Sequence, residues 1–283
     1  MNEQTSAYRY TWEQAIEVLR QDPRHRALVH DAYLTSDLTD NCNRFAASDE
    51  FAATLRLIQG YRPDARKLLD VPGGNGIATL AFARNGFDVT SVEPDPSDSV
   101  GRGAIMACLD SAGLRASIVD AYGEDLPFKD SDFDVVYVRQ GLHHARDLPA
   151  MLTEYARVLR PGGLLVAARE HVVDDYGPSL QSFLDSQVDH QLYGGENAFA
   201  RDDYHAAITK AGLALRQEFG PYDTPINLHP NTPEILREKI LRSGPGRLLA
   251  KVFPENVIYQ IGMWRLRRAK RPGRLYTFVA TKA

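Results

Sequence analysis

The stretch Asp70-Val71-Pro72-Gly73-Gly74-Asn75-Gly76 separates a short apolar strand from a segment with helical spacing. Glycines in such a turn let the backbone approach a ligand closely and adopt dihedral angles that are closed to other residues. The helix that follows begins with amide donors that have no partner inside the helix. The stretch therefore predicts a ligand-binding turn at the carboxyl end of a buried strand.

Strands and helices alternate on both sides of this turn. Apolar strands are predicted at 67–71, 88–92, 116–119, 133–138, 164–168, 214–219 and 275–280. Helices are predicted at 77–84, 105–112, 148–159 and 203–211. Such alternation indicates βαβ units and a parallel sheet that is buried on both faces. We therefore predict an α/β fold, a Rossmann-like and mostly parallel seven-stranded sheet with helices on both faces, plus N-terminal helices and inserted substrate-covering segments.

The remaining segments suggest how the chain is divided. Residues 1–62 predict an N-terminal helical cap, and 63–222 together with 273–283 predict the Rossmann-like core. Within that core, 171–200 predicts a lid-like insertion, and 223–272 predicts a basic helical insertion before the last strand. Extra segments near the carboxyl ends of the strands usually cover the substrate in α/β proteins.

The charge of the chain limits its partners. A net charge of −4 argues against a general polyanion binder, although basic residues cluster from 237 to 274. With the apolar residues of 248–264, this cluster could form a membrane-surface helix or grip the phosphates of a nucleotide-linked substrate. We favour a third reading, a helix that covers the cleft and turns a solvated basic face outward. Nucleic acid is not an expected partner because no aromatic-basic recognition module is present.

The two cysteines, Cys42 and Cys108, follow no metal or redox spacing and are expected to be ordinary reduced thiols. The N-terminus shows no basic region followed by an apolar run, and no stretch approaches the roughly 18 apolar residues of a membrane span. These features favour a cytoplasmic protein. A small polar molecule is the expected partner, and the oligomeric state stays open.

An acidic residue, Glu93, closes the second predicted strand in Val92-Glu93-Pro94-Asp95-Pro96. A carboxylate at that position can accept hydrogen bonds from both ribose hydroxyls of an adenosine-containing ligand. The glycine-rich turn and Glu93 together predict a nucleoside-binding edge. A dinucleotide fingerprint would need glycine at position 79, where this chain has Thr79, so a nicotinamide-dependent oxidoreductase is disfavoured.

From about 66 to 168 the chain resembles the class I S-adenosylmethionine-dependent methyltransferases. Five motifs carry the resemblance in family order: the turn after Asp70, the strand-end Glu93, Gly-Glu-Asp-Leu-Pro-Phe at 123–128, Leu-His-His at 142–144, and Leu-Arg-Pro-Gly-Gly at 159–163. The resemblance implies S-adenosyl-L-methionine as the methyl donor. Pro72 stands where the family usually has glycine, and proline lacks one amide donor.

The resemblance also implies which residues hold the donor. Its amino-acid end is assigned to Asp70, Gly73, Gly74 and Gly76. Its ribose is assigned to Glu93. Its adenine is assigned to Tyr122, Gly123 and Glu124. The region of its sulfonium is assigned to Arg139 and Gln140.

Histidines are the candidate catalytic residues, because a base is needed when the methyl acceptor has a proton to lose. His143 and His144 follow the fourth strand, and His171 closes the fifth. Because side chains alternate along a strand, we expect Arg169 and His171 to share the cleft face and Glu170 to point away. These residues could bind a metal, but no spacing demands one, and none is predicted.

Substrate contacts are expected from Arg169 and from Tyr193, Glu196 and Asn197 in the loop at 191–199. The wider pattern is similar to methyltransferases of bacterial polysaccharide and specialised-metabolite biosynthesis. That resemblance implies a sugar-like or otherwise polar acceptor, methylated on oxygen or nitrogen. Two alternatives stay open: a donor-binding protein without catalysis and, less favoured, the NAD-dependent oxidoreductase.

Overall fold

The computed structural model describes residues 8–283, and one sheet runs through it. The strands are β1 (Lys67–Asp70), β2 (Asp88–Val92), β3 (Ser117–Val119), β4 (Phe133–Arg139), β5 (Leu159–Val173), β6 (Phe199–Ala200), β7 (Leu213–Phe219) and β8 (Arg274–Lys282). Their order is β3-β2-β1-β4-β5-β8-β7, and β6 pairs only with the end of β5. The strands from β1 to β5 pair in parallel, whereas β8 runs antiparallel to β5 and β7. The predicted mostly parallel, seven-stranded sheet is confirmed, with the two-residue β6 in addition.

Thirteen α-helices are described between residues 8 and 283. They are α1 (Trp12–Gln21), α2 (Arg26–Asp31), α3 (Leu38–Ala46), α4 (Asp49–Tyr61), α5 (Ile77–Arg84), α6 (Arg102–Ala112), α7 (Leu148–Val158), α8 (Pro178–Ser186), α9 (Val188–Tyr193), α10 (Arg201–Lys210), α11 (Pro233–Arg242), α12 (Gly244–Leu249) and α13 (Glu255–Arg268). Three-residue 3-10 helices lie at Pro23–His25, Leu142–His144 and Pro225–Asn227.

Both faces of the sheet are buried, as predicted. Along β4, Val135 and Tyr137 pack on the face that carries α4 and α5, and Val136 and Val138 pack on the opposite face with α7 and α10. All four side chains are fully buried. Strand alternation places them on opposite sides, so each face needs its own helical layer.

The N-terminal helices begin where the sequence supplies caps. The Thr11 hydroxyl accepts from the Gln14 amide, and the Gln14 side chain accepts from the Thr11 amide, which is a capping box. Ser48 caps α4 by accepting from Phe51 N. Residues 1–7, which include part of the predicted helical cap and the start of the N-terminus that is expected to carry no secretory signal, lie outside the described residues.

The two insertions have different surroundings. α9 packs on α1 through the Tyr193 and Trp12 rings, 4.8 Å apart between centroids, so the lid-like segment rests on the N-terminal helices. The basic insertion forms α11, α12 and α13, which pack on one another around Leu236 and Met263. Its outer surface exposes apolar side chains, among them Leu248, Val252 and Trp264. Across the described residues, no helix combines the length and apolarity that a membrane crossing requires.

The two cysteines meet although they are far apart in sequence. Cys42 on α3 and Cys108 on α6 are both buried and free, with their sulfur atoms 3.0 Å apart. The expectation of free thiols therefore agrees with the structure, but their proximity could not be read from their spacing.

Candidate active site

The glycine-rich turn after β1 is held open by its backbone conformation. Gly74 and Gly76 have φ of +54° and +86°, in the left-handed region that favours glycine. A Cβ on Gly76 would also lie 2.9 Å from Ile105 Cα, so α6 leaves no room for a side chain there. Gly73 N donates to Val92 O at 2.9 Å and ties the turn to β2.

Asp70 offers a free acceptor at the base of this turn. Its Oδ2 accepts from the Thr79 hydroxyl at 2.6 Å, so the residue found in place of a fingerprint glycine orients this carboxylate. Among residues 8–283 nothing hydrogen-bonds to the buried Oδ1. Burial, and after it the nearby charge of Glu93, raises the pKa of Asp70 to about 7. A buried acceptor of this kind calls for a ligand donor.

Glu93 faces the same turn from the end of β2. Its carboxylate accepts from Gly74 N at 2.7 Å and from Asp95 N at 2.9 Å, and the residue is only 6% exposed. Burial raises the pKa of Glu93 to about 7. Each carboxylate oxygen can accept a further hydrogen bond, so the group can still receive ribose hydroxyls.

The observed turn fits the amino-acid and ribose ends of S-adenosylmethionine, with Asp70 Oδ1 and Glu93 as the acceptors. The residues assigned to the adenine lie beside it on the loop after β3. Tyr122 is 54% exposed under the Arg146 guanidinium, and Glu124 accepts from Arg146 N at 2.9 Å.

Arg139, which the resemblance assigned to the sulfonium region, forms an ion pair with a carboxylate of α4. Its guanidinium contacts the fully buried Glu50 carboxylate of α4 at 2.6 and 3.2 Å. It also donates to Gln140 Oε1 at 3.1 Å. Gln140 has a φ of +50°, and its amide nitrogen lies 3.5 Å from His171 Nε2. Gln140 therefore links Arg139 to His171.

A buried ion pair forms the centre of the histidine cluster. His143 Nδ1 lies 2.8 Å from Glu170 Oε2, and its Nε2 lies 3.6 Å from Glu196 Oε2. Burial lowers the pKa of His143, but the hydrogen bonds to the two carboxylates outweigh it and raise this pKa to about 9. Glu170 also accepts from the backbone amides of Gly141 and His143, both at 3.1 Å.

The other two histidines flank this pair. His171 Nδ1 lies 2.8 Å from the Gly273 carbonyl, and its ring centroid is 4.8 Å from that of His143. Burial, and then the charge of His143, lowers the pKa of His171 to about 4. His144 is more exposed; its Nδ1 lies 2.9 Å from Gly195 O, and its Nε2 lies 3.8 Å from Glu196 Oε1.

The lid-like segment supplies the carboxylate that all three histidines approach. Tyr193 donates to Glu196 Oε1 at 3.2 Å, across a turn in which Gly194 has a φ of +78°. Burial raises the pKa of Glu196, but the hydrogen bond to His143 and the other imidazoles outweigh it and lower this pKa to about 2. Asn197 follows as a half-buried residue. Three of the four residues assigned to the substrate thus lie on this segment, next to the histidines.

The expected facing of 169–171 was wrong. Arg169 has a φ of +61°, and the pairing of β5 with β8 shifts register between Ala167 and Glu170. This bulge breaks the alternation. The buried Arg169 guanidinium therefore points away, donating to the carbonyls of Ile226 and His229. Glu170, expected to point away, contacts His143.

The glycine-rich turn after β1 and the histidine cluster are connected by direct contacts. A Cβ on Gly141 would lie 2.4 Å from Pro72 Cδ, so the proline of the turn rests against the residue after Gln140. Gly141 N in turn donates to Glu170, which holds His143. The two groups of residues therefore meet where β1 and β4 lie side by side.

Sequence reasoning missed the contributions of three residues to the site: Glu50, Gly273 and Glu170. Glu50 lies 89 positions before Arg139, and the Gly273 carbonyl lies 102 positions after His171, so no local motif could connect them. Glu170 was noticed but assigned to the wrong side. Its position next to a histidine was the only available signal.

The sheet order, the glycine-rich turn after β1 and the acid after β2 together define the class I methyltransferase fold. Residues 69–167 match the family described as a methyltransferase domain. These findings, with the relatives described next, confirm the resemblance to S-adenosylmethionine-dependent methyltransferases.

Two relatives illustrate the likeness in sequence. The chain is 38% identical over 104 residues to an uncharacterized methyltransferase of Mycobacterium sp. (strain JLS), covering 37% of this chain and 38% of that protein. It is 32% identical over 158 residues to an uncharacterized methyltransferase of Mycobacterium avium (strain 104), covering 55% and 58%. The matched regions therefore span about two to three fifths of the length of these relatives.

A solved structure shows the same fold. Geranyl diphosphate C-methyltransferase from Streptomyces coelicolor, in complex with Mg²⁺, geranyl-S-thiolodiphosphate and S-adenosyl-L-homocysteine, aligns with a TM-score of 0.56. The alignment has 15% identity and covers 82% of this chain and 76% of that one. At this identity the likeness concerns the fold.

Proposed function

We propose that the protein transfers the methyl group of S-adenosylmethionine to an oxygen or nitrogen of a small polar acceptor, sugar-like or a specialised metabolite. The observation that carries the proposal is the contact between the glycine-rich turn and the histidine cluster, which runs through Pro72, Gly141 and Glu170. This contact brings a polar, hydrogen-bonding cluster next to the edge where the donor would bind.

When bound, the donor supplies an electrophilic methyl group on a sulfonium. The chain positions both partners: Asp70 and Glu93 accept hydrogen bonds from the donor, and the cluster orients the acceptor. In the transfer, a lone pair on the acceptor forms the new bond to carbon while the carbon–sulfur bond breaks and its electrons stay on sulfur. The proton lost by the acceptor then has to be taken up.

His144 is placed to accept that proton. Its Nδ1 hydrogen is directed at the Gly195 carbonyl, which leaves the lone pair on Nε2. The side chain is 35% exposed, so the proton can pass on to water. Glu196 lies 3.8 Å from the same nitrogen and stabilises the imidazolium that forms.

The charges of the cluster favour an acceptor that donates hydrogen bonds. Two carboxylates, Glu170 and Glu196, face the three imidazoles. A hydroxyl or an amine can donate to Glu196, whereas a phosphate or carboxylate placed there would be repelled by it. This supports transfer to oxygen or nitrogen.

The first experiment is calorimetric titration of the purified protein with S-adenosylhomocysteine and, separately, with NAD. We expect micromolar binding of the first and none of the second, because Thr79 holds Asp70 where a dinucleotide site needs glycine. Binding of NAD alone, or of neither ligand, would contradict the proposal.

A second measurement separates catalysis from donor binding. S-adenosylhomocysteine formation is followed with hydroxylated, aminated and carbon acceptors, for wild type and His144→Ala. We expect turnover with a hydroxyl or amine acceptor that falls in the variant while donor affinity is kept. Donor binding without turnover on any acceptor would favour the donor-binding protein without catalysis.

A further inference from the structure

We propose that His143, His171 and Glu196 bind one divalent transition-metal ion inside the cleft. The proposal concerns metal binding itself; only the use of the metal in catalysis rests on the proposed function. One donor atom from each of the three residues lies within 4.8 Å of the others. The two closest identified donors, His143 Nε2 and Glu196 Oε2, are 3.6 Å apart.

These separations are close to those of a loaded site. In a tetrahedral zinc site with bonds of about 2.1 Å, ligand atoms lie about 3.4 Å apart. The His143–Glu196 pair already has nearly that spacing. The third donor lies within 4.8 Å of the other two, so it has to approach them by at most about 1.4 Å to reach this spacing.

The orientation of the two imidazoles points to a metal rather than to a chance cluster. His143 Nδ1 is held by the Glu170 carboxylate at 2.8 Å, and His171 Nδ1 by the Gly273 carbonyl at 2.8 Å. Histidine ligands of metals almost always donate their second ring N–H to a carboxylate or backbone carbonyl in this way. In both residues Nε2 faces the cluster; on His143 it carries a proton directed at Glu196, which the metal ion displaces on binding.

Nε2 of His171 lies 3.5 Å from the Gln140 amide nitrogen. That distance is at the limit of a hydrogen bond, so a metal would replace a weak contact. Glu196 keeps its hydrogen bond from Tyr193 on Oε1, while Oε2 faces His143. Each ligand therefore has a supporting contact that metal binding leaves in place.

The donor set decides the class of metal. Two imidazole nitrogens and one carboxylate oxygen suit zinc, iron, cobalt or manganese, whereas magnesium prefers oxygen ligands alone. Three protein ligands leave at least one open position. In the cleft, that position would take an oxygen or nitrogen of the acceptor and hold it beside the donor edge.

The test measures the metal directly, without donor or acceptor. The purified full chain is stripped with a chelator, then titrated with Co²⁺ and followed by its visible d–d absorption. Zn²⁺ affinity is measured by competition with a chromogenic chelator. We expect the wild-type chain to bind one ion. His171→Ala and Glu196→Gln should each bind it at least about 100-fold more weakly than wild type.

Two further variants make the test specific. Glu170→Gln removes the charge that holds His143 Nδ1, together with one of the two carboxylate oxygens that accept from the amides of Gly141 and His143, and should weaken binding by about 10–100-fold. His205→Ala removes a histidine of α10 that is paired with Glu218 of β7, outside the cluster, and should leave metal binding unchanged. Thermal melting of each variant verifies folding, and Glu196→Gln carries the test alone if His171→Ala does not fold, because it preserves side-chain size.

Binding that survives both ligand substitutions would overturn the proposal, since the ion would then sit elsewhere. If the wild-type chain bound no stoichiometric metal ion, the proposal would also be overturned, and the cluster would act through its side chains alone. Because neither readout requires methyl transfer, failure of the proposed function in the separate calorimetric titration is distinguishable from either result.

Discussion

Replacing Glu93 with glutamine should improve the stability of the free protein and impair its ligand binding. The pKa of Glu93 is raised by burial to about 7, against an ordinary value of 4.5. An acid whose pKa is higher in the folded state is charged there at a cost, and that cost grows as the pH rises from 4.5 to 7. At 1.36 kcal/mol per pH unit, it reaches about 3 kcal/mol at pH 8.

Glutamine removes the charge but cannot accept from both Gly74 N and Asp95 N. One unsatisfied amide costs about 1 kcal/mol, so the net gain in free energy of unfolding is about 2 kcal/mol at pH 8. The gain should fade toward pH 5, where Glu93 is already protonated in the folded wild type. Urea denaturation at both pH values measures it.

Donor binding should respond in the opposite direction. If ribose hydroxyls donate to the ionised carboxylate, wild-type affinity for S-adenosylhomocysteine falls about tenfold from pH 8 to pH 6. Glu93→Gln should bind about 5–150-fold more weakly at pH 8, a loss of ~1–3 kcal/mol, and lose the tenfold part of the pH dependence that Glu93 contributes. Unchanged affinity at pH 8 would refute the ribose assignment. If the variant kept the full pH dependence of the wild type, the titrating group would be Asp70 and not Glu93.

Four other substitutions test separate parts of the site. Glu50→Gln leaves the buried guanidiniums of Arg139 and Arg169 without their counter-charge and should cost about 3–5 kcal/mol in urea denaturation; a loss below about 1 kcal/mol would contradict the importance of this pair. Gly76→Ala forces a side chain into a left-handed conformation against α6 and should cost at least ~1–2 kcal/mol in stability or donor binding, whereas Gly60→Ala, with open space, should cost nothing. His171→Ala should lower turnover while S-adenosylhomocysteine affinity stays within about twofold, and normal turnover would remove this histidine from the mechanism. His143→Ala should lower turnover and stability together, because it separates Glu170 from its partner.

The sheet could be predicted because each strand carries its own signal. Apolar runs such as 133–138 are bounded by polar or glycine-containing turns, and the observed β4 differs from that prediction by one residue. The acidic residues of the predicted nucleoside-binding edge could also be found from local sequence, since Asp70 and Glu93 each lie at the end of a strand. The same reasoning gave the three histidines, because each follows or closes a strand at one edge of the sheet.

The cluster's internal geometry could not be predicted, because it depends on a backbone irregularity and on distant partners. Regular alternation placed Glu170 on the wrong side, because the bulge is visible only in the structure, as the positive φ of Arg169 and the register shift between β5 and β8. The turn that carries Glu196 into the cluster comes from a segment without a periodic pattern. Pairs such as Glu50 and Arg139 arise from packing between elements and leave no trace in local spacing.

The basic insertion joins two neighbouring antiparallel strands, β7 and β8, so its ends are anchored on a hairpin. A segment attached in this way can be exchanged for another of different length without altering the order or register of the parallel strands. Two parts of the connection between β7 and β8 have to be kept: the Gly273 carbonyl, which orients His171, and the carbonyls of Ile226 and His229, which accept from the buried Arg169 guanidinium. The region 233–268, which forms α11 to α13, is therefore a natural position for a replaceable cassette, where segments of other lengths can be grafted onto the same sheet.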